Sequence, residues 1–244
     1  LFGVVKLKEK KMTKKKAVQE NTQTQKVGLS QAAKRYNVTL TFISPILGSA
    51  PSNKEVYQNY VASQMPEPTP ELVATEVAQI PDLPKTGKTI FRVDPDTQHL
   101  IYLPHQIRGF LKAAASAITG KELSAFKSKI DKFVFVAPDV IELKLDGQPI
   151  KADPAMDTEE RPLQAMTAQG PRVSLLSSEK LKKGVKIDFQ LIVLPLGQRE
   201  ITEELLRSWF EYGEFQGISQ WRNGGYGRFT FELTPVTRQF EQVA

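Results

Sequence analysis

The sequence predicts an α+β fold in which two helices lie on one face of an antiparallel sheet. Three observations predict it. Alternating or continuous apolar runs at 38–44, 133–145, 185–195 and 227–233 have the composition and length of strands. Apolar residues at helical spacing mark 105–119 and 202–213. These six segments occur in the order βαββαβ, the split βαβ or ferredoxin-like (RRM-like) pattern, with long insertions between them. Apart from the pseudo-symmetry of the two βαβ halves, the chain has no internal repeat.

Each element has a local reason. In YNVTLTFISPILGSAPS (36–52), Val38, Leu40 and Phe42 alternate with Thr39, Thr41 and Ile43, and Pro45, Gly48 and Pro51 end the strand. Residues 53–64 space Val56, Tyr57, Tyr60 and Val61 as a short helix, and a second helix is expected near 71–79, beyond the proline-rich MPEPTPE. The stretch KTIFRVDPDTQHLIYLP (88–104) predicts a hairpin around DPDT. In HQIRGFLKAAASAITG (105–120), Ile107, Phe110, Leu111, Ala114 and Ile118 form one stripe, with Gly120 as its cap. DKFVFVAPDVIELKLDGQPIK (131–151) reads as extended, broken at Pro138 and turned back at Asp146-Gly147. Residues 152–184 are polar and proline-bearing and read as a long irregular loop, a kind of segment that is either functional or mobile. VKIDFQLIVLP (185–195) is a strand, ITEELLRSWFEYG (201–213) a helix closed by Gly213, and GRFTFEL (227–233) the last strand.

Composition narrows the class. The chain has 244 residues, 40% hydrophobic and 25% charged, as in folded globular proteins. It has no cysteine, which excludes disulfides and thiolate metal sites and suits a reducing cytoplasm. No apolar run is long enough to span a bilayer and no secretory signal is visible, so no membrane partner is expected. The net charge of +6 is misleading as a sign of nucleic-acid binding. Residues 1–27 hold eight lysines and two glutamates, which leaves 25 basic and 25 acidic residues for the rest of the chain. The body is formally neutral, so the position of its arginines matters more than the total. The lysine-rich tail, residues 1–30, is expected to be disordered, with the folded domain spanning 31–244. Residues 1–11 read as a translated leader ahead of a natural start at Met12, because KLKEKKM is compatible with a purine-rich ribosome-binding stretch. N-terminal mass spectrometry that recovered a native peptide spanning 6–16 would refute this.

RNGGYGRF (222–229) places three glycines, two arginines and a tyrosine between the second helix and the last strand. With its flanks, ISQWRNGGYGRFTFEL (218–233), it resembles the glycine-rich loop of the RAMP superfamily of CRISPR-associated proteins, of the backbone-subunit type. LIYLPHQIRGFLKAAASAI (100–118) is similar to that family's strand, proline turn and arginine-glycine helix start, with Arg108 and Gly109 in the corresponding places. LTFISPILGSAPS (40–52) is similar to its first strand followed by proline and glycine. Residues 53–87 and 152–184 match no family motif, and the glycine loop is short for the family.

The resemblance implies binding of single-stranded guide RNA within a multi-subunit ribonucleoprotein, or processing of a guide precursor. The residue types suit binding. Gly224, Gly225 and Gly227 lack Cβ atoms and would admit a sugar-phosphate backbone. Arg222 and Arg228 would pair with phosphates, and Trp221 or Tyr226 would stack on a base. The competing account is a tight turn with Arg228 solvated. Arg108 and Lys112, four residues apart, would line a basic groove or form an ordinary solvated helix face. Arg161 and Arg172 fall in the 152–184 insertion, which resembles in position the family's RNA-contacting, subunit-contacting protrusions; disorder is the alternative.

Catalytic signals are sparse. With only His99 and His105, and no H-x-x-H spacing, no histidine metal site is expected, and no cofactor motif is present. His105, beside a helix start, is the single candidate general base for attack by a ribose 2′-hydroxyl. Asp94, Asp96 and Asp153 have no spacing that selects a metal. The expectation is a non-enzymatic RNA-binding subunit that self-associates along RNA. The alternatives are a metal-independent endoribonuclease of the same fold, and an assembly protein of a phage or mobile element that binds no nucleic acid.

Overall fold

The computed structural model describes residues 28–52, 88–118, 124–167 and 170–236. The lysine-rich stretch of the tail, the two helices expected between 53 and 87, and the Gly120 cap lie outside them. The chain divides into two units, Leu1–Ala32 and Ala33–Ala244. In the first, the described residues form a single turn of helix, α1 (Leu29–Ala32), closed by hydrogen bonds from the Gln31 and Ala32 amides to the Gly28 carbonyl.

The second unit is α+β, and its largest sheet is antiparallel. At the centre is β1 (Lys34–Phe42), where Tyr36, Val38, Leu40 and Phe42 are buried and alternate with Asn37, Thr39 and Thr41. The chain continues through two short strands, β2 (Ile46–Leu47) and β3 (Ala50–Pro51), and resumes with β4 (Lys88–Ile90), β5 (Arg92–Val93) and β6 (Leu100–Tyr102). Helix α2 (Pro104–Ile118) and helix α3 (Ser124–Phe133) lead into β7 (Val134–Ala137), β8 (Ile141–Glu142), β9 (Lys144–Leu145) and β10 (Gln148–Pro149). A hairpin of β11 (Thr158–Thr167) and β12 (Gly170–Leu181) precedes β13 (Lys186–Val193), α4 (Glu203–Glu211) and β14 (Phe229–Pro235).

In the main sheet β1 lies between β14 and β13, and β13 pairs on its far side with β7 and, at Lys186, with β9. Leu40 opposes Phe231 on one side and Ile187 on the other. One face of this sheet is aromatic and carries the helices. Phe110 of α2 packs edge-on to Phe229 at 5.1 Å, and Phe210 of α4 stacks on Phe231 at 5.5 Å. Such rings contribute both buried area and quadrupole-directed contacts, which fixes the helices over the sheet. The opposite face presents Asn37, Thr39, Thr41, Asp188, Gln190, Thr230, Glu232 and Thr234. A second sheet joins β11, β12, β4 and β3, with β12 and β4 parallel; β5, β6 and β8 form a third.

Several expectations change. Residues 124–133 form a helix that the sequence hid among lysines; Phe126 and Ile130, at i and i+4, turn toward the core. The segment expected to be irregular is instead the β11–β12 hairpin, with Pro162 and Pro171 masking its strand pattern. In α2 the buried stripe runs to Ala115, and Ile118 is half exposed. The 88–104 hairpin consists of β5 and β6 only, because Lys88–Ile90 pairs elsewhere. Asp146 and Gly147 do turn the chain, both with positive φ, between β9 and β10. Gly213 does not close α4 as a left-handed cap. It sits in a 3₁₀ turn where a Cβ would come within 2.1 Å of the Phe229 ring.

Candidate nucleic-acid interface

The glycine loop leaves α4, whose Thr202 cap accepts a hydrogen bond from the Leu205 amide at 3.3 Å, and returns into β14. Its neck is closed by the Ile218 amide donating to the Gly227 carbonyl at 2.8 Å, and by the Gly227 amide donating to the Pro45 carbonyl at 2.8 Å. Glycine is required at 227: φ is +73°, and a Cβ would stand 1.7 Å from the Ile218 carbonyl oxygen. The Arg228 amide donates to the Ser44 hydroxyl at 2.8 Å, which ties the strand entry to the end of β1. The loop is therefore a braced structure.

At its crest, Trp221 (φ +54°) leads into a 3₁₀ turn over Arg222–Gly224, followed by Gly225 at φ +82°. Of the three glycines expected to admit a backbone, only Gly225 has open space where a Cβ would be. At Gly224 that space is taken by the Trp221 ring, and at Gly227 by Ile218. Arg222 and Asn223 line a cleft of about 340 Å³ with Ser219, Gln220 and Trp221. Arg228 is exposed and, among the described residues, holds no ion pair.

The aromatic pair is engaged from within. Trp221 stacks on Tyr226, with ring centroids 5.1 Å apart and planes 18° apart, and the Arg161 guanidinium lies 5.0 Å from the indole. Trp221 is still 38% exposed, so part of its ring reaches solvent. Arg161, only 3% exposed, donates to the Ser178 hydroxyl at 3.3 Å, and its Nε has no partner among the described residues. Burial first of all, with the Glu159 hydrogen bond next, raises the pKa of Tyr226. The Lys180 hydrogen bond, and after it that of Tyr226, lowers the pKa of Glu159. Arg161 is thus brought to the glycine loop, but as a buried group. Arg172 stands opposite Ala165 near the far end of the hairpin, away from its base.

The second basic pair occupies a different setting. Arg108 Nη2 donates to the Asp131 carbonyl at 2.9 Å and to its carboxylate at 3.1 Å, and Lys112 Nζ reaches the same carboxylate at 2.8 Å. The Arg108 guanidinium also lies 6.0 Å from the Phe135 ring. Phe135 is the sole aromatic on the outer face of β1, β7, β13 and β14 among the described residues, so that face offers no row of stacking rings. Nearby, the side chain of His105 reaches solvent yet is crowded by protein. That crowding, then the charges of Arg92 and Arg108, lowers its pKa to about 4, so its imidazole is neutral at pH 7. Among the described residues no cluster of three or more acidic or histidine groups could hold a metal.

Sequence reasoning missed Asp131, Glu159, Lys180, Ser178 and Gln220, which determine how the predicted arginines and aromatics are held. They are joined to those groups only by folding, and no short motif contains them.

No family model and no curated protein matches the chain. The solved structures that resemble the chain include two from CRISPR complexes. One is a chain of Type III-B Cmr-beta bound to cognate target RNA, with 10% identity and a TM-score of 0.43 over 94% of this chain and 66% of that one. The other is a chain of a Type IV-B CRISPR complex, with 11% identity and a TM-score of 0.42 over 86% of this chain and 94% of that one. This chain therefore spans about two thirds of the length of the first. No helix among the described residues is long and apolar enough to cross a membrane.

Proposed function

We propose that the chain binds single-stranded RNA as a non-enzymatic subunit of a CRISPR-type ribonucleoprotein, and that its glycine loop contacts the RNA backbone. The observation that supports this most is the crest of that loop. Arg222, Asn223 and the uncovered Gly225 edge stand on a braced neck between α4 and β14, with Arg228 exposed at the root. The amides of Gly224, Gly225, Gly227 and Arg228 already donate within the protein, so the guanidiniums of Arg222 and Arg228 are the groups that suit a phosphate chain, with the bare Gly225 edge allowing its close approach. The order β14–β1–β13–β7, antiparallel throughout, also suits a ferredoxin-like RAMP domain over residues 31–244 with insertions at 53–87 and 152–184. In this proposal the protein self-associates along RNA in the cytoplasm alongside other subunits.

Purified full chain, assayed for copurifying nucleic acid by its 260 to 280 nm absorbance ratio and by sequencing, tests the proposal. Short RNA of uniform length is the expected result. Protein that is free of nucleic acid and fails to retain single-stranded RNA on a filter would overturn it in favour of an assembly protein.

A second reading places His105, beside the start of α2, as a general base in RNA cleavage, although a pKa lowered to about 4 leaves its imidazole a weak base. His105→Ala decides it: loss of cleavage in a cleaving preparation would support catalysis, and unchanged cleavage would remove it.

A further inference from the structure

The base of the β11–β12 hairpin meets the glycine loop through one row of side chains. Glu159 pairs with Ser178 across the hairpin, and Arg161 with Leu176. Because side chains alternate along a strand and cross-strand partners share a face, Glu159, Arg161, Ser178 and Lys180 all lie on the same side of the hairpin. Each engages the loop or a group that does. Arg161 lies against the Trp221 indole, and the Tyr226 hydroxyl and the Glu159 carboxylate are neighbours, each shifting the pKa of the other. Lys180 holds the same carboxylate at 2.9 Å. Ser178 and Thr89 are 2.7 Å apart, and both reach the Gln220 amide oxygen, Thr89 at 2.8 Å and Ser178 at 3.3 Å.

No ladder pairs the two parts directly; both are joined to the 45–48 segment, the hairpin base through Lys180 and Leu181 against β2 and the loop through the Pro45 and Leu47 carbonyls, and the row of side chains is their direct contact. The contact is also poorly reinforced. Ser219 and Trp221 sit at φ +93° and +54°, a region that side-chain-bearing residues avoid unless held there. The buried Arg161 charge has one long hydrogen bond to a hydroxyl and an Nε without a partner among the described residues. Such a junction is specific in register yet readily separated, in contrast with the packed aromatic core beneath the main sheet.

We infer that this row is a latch that couples the base of the hairpin to the conformation of the glycine loop, so that releasing either side loosens the other. The coupling is a property of the protein alone and holds whatever ligand the loop takes. By linkage it is reciprocal: a change made on the loop is felt in the hairpin, and the reverse.

Hydrogen exchange of the full chain without RNA, read by mass spectrometry, tests it. Tyr226→Phe keeps the ring and removes the hydroxyl that neighbours Glu159; Glu159→Gln weakens the ion pair with Lys180 and the contact with Tyr226; Trp221→Ala removes the stack. The expected result for the two loop variants is about tenfold faster exchange at 159–161 and 176–180, with β1 and β13 unchanged. Glu159→Gln should accelerate exchange at 219–227 to a similar degree. The inference is overturned if the loop variants accelerate only their own loop while the hairpin base keeps its rates, or if Glu159→Gln leaves 219–227 unchanged. Should Trp221→Ala also raise exchange throughout β1 and β13, it has destabilised the whole fold, and the two near-isosteric variants decide the matter.

Discussion

Arg108 and Arg228 both lie where an element begins, one in the first turns of α2 and the other at the entrance to β14, and the protein treats them oppositely. Arg108 is clasped by the carbonyl and carboxylate of Asp131, which also takes Lys112, so two cations share one acid and only part of their charge is offset. Arg228 extends from a glycine-closed neck without an ion pair among the described residues. In a body whose formal charges cancel, the difference teaches that affinity for a polyanion depends on which cations are left unneutralised, more than on how many there are. The same contrast exists inside the loop, where Arg161 is buried against Trp221 while Arg222 lines an open cleft.

The most forceful way to break the comparison is to remove the brace. Gly227→Ala would drive a Cβ into the Ile218 carbonyl at a positive φ, and a loss of about 3 kcal/mol in urea unfolding is expected, the upper end for ordinary substitutions. The matching change on the other side, Gly109→Ala next to Arg108, meets no atom within 4 Å and lies inside a helix, so a gain of about 0.5–1 kcal/mol is expected. Equal effects from the two would mean that the neck is not a brace.

Asp131→Asn sharpens the comparison from the other direction. It should cost less than about 1 kcal/mol, as partly exposed ion pairs do. It should also release Arg108 and Lys112 and so raise single-stranded RNA affinity and its salt dependence. Unchanged binding would mean that the helix face lies outside the path of the RNA, whatever its charge.

The smallest effect concerns His105. Its folded pKa of about 4 lies below the ordinary 6.5, so between these values the unfolded chain binds more protons than the folded one. Stability should therefore fall as pH drops from 6.5 toward 4, and His105→Gln should flatten that part of the profile. Solvent contact limits the size of the change. An unaltered profile in the variant would assign the acid sensitivity to other groups.

Much of the main sheet was legible in the sequence because its signals are local. The alternation of Val38, Leu40 and Phe42 and the stripe of Ile107, Phe110 and Leu111 each follow from a single period. Helix α3 was not, because Phe126, Ile130 and Phe133 are set among lysines and adjoin the strand that begins at Val134. The hairpin was not, because its prolines resemble loop punctuation and its stability comes from pairing across the turn. For the candidate site, the residue types were legible and their partners were not. Arg161 meets Trp221, and Arg108 meets Asp131, across stretches of chain that no spacing rule connects. Without those partners, Trp221 and Tyr226 read as free stacking rings, whereas the fold stacks them on each other.

The most direct test of the central claim is the salt dependence of single-stranded RNA binding by the full chain, compared with Arg228→Ala, Arg222→Ala and Arg108→Ala. If the loop holds the backbone, each loop substitution should weaken binding and lower the slope of log affinity against log salt by about one phosphate contact, with a smaller change for Arg108→Ala. Identical slopes for the parent and both loop variants, or a loss confined to Arg108→Ala, would contradict the account.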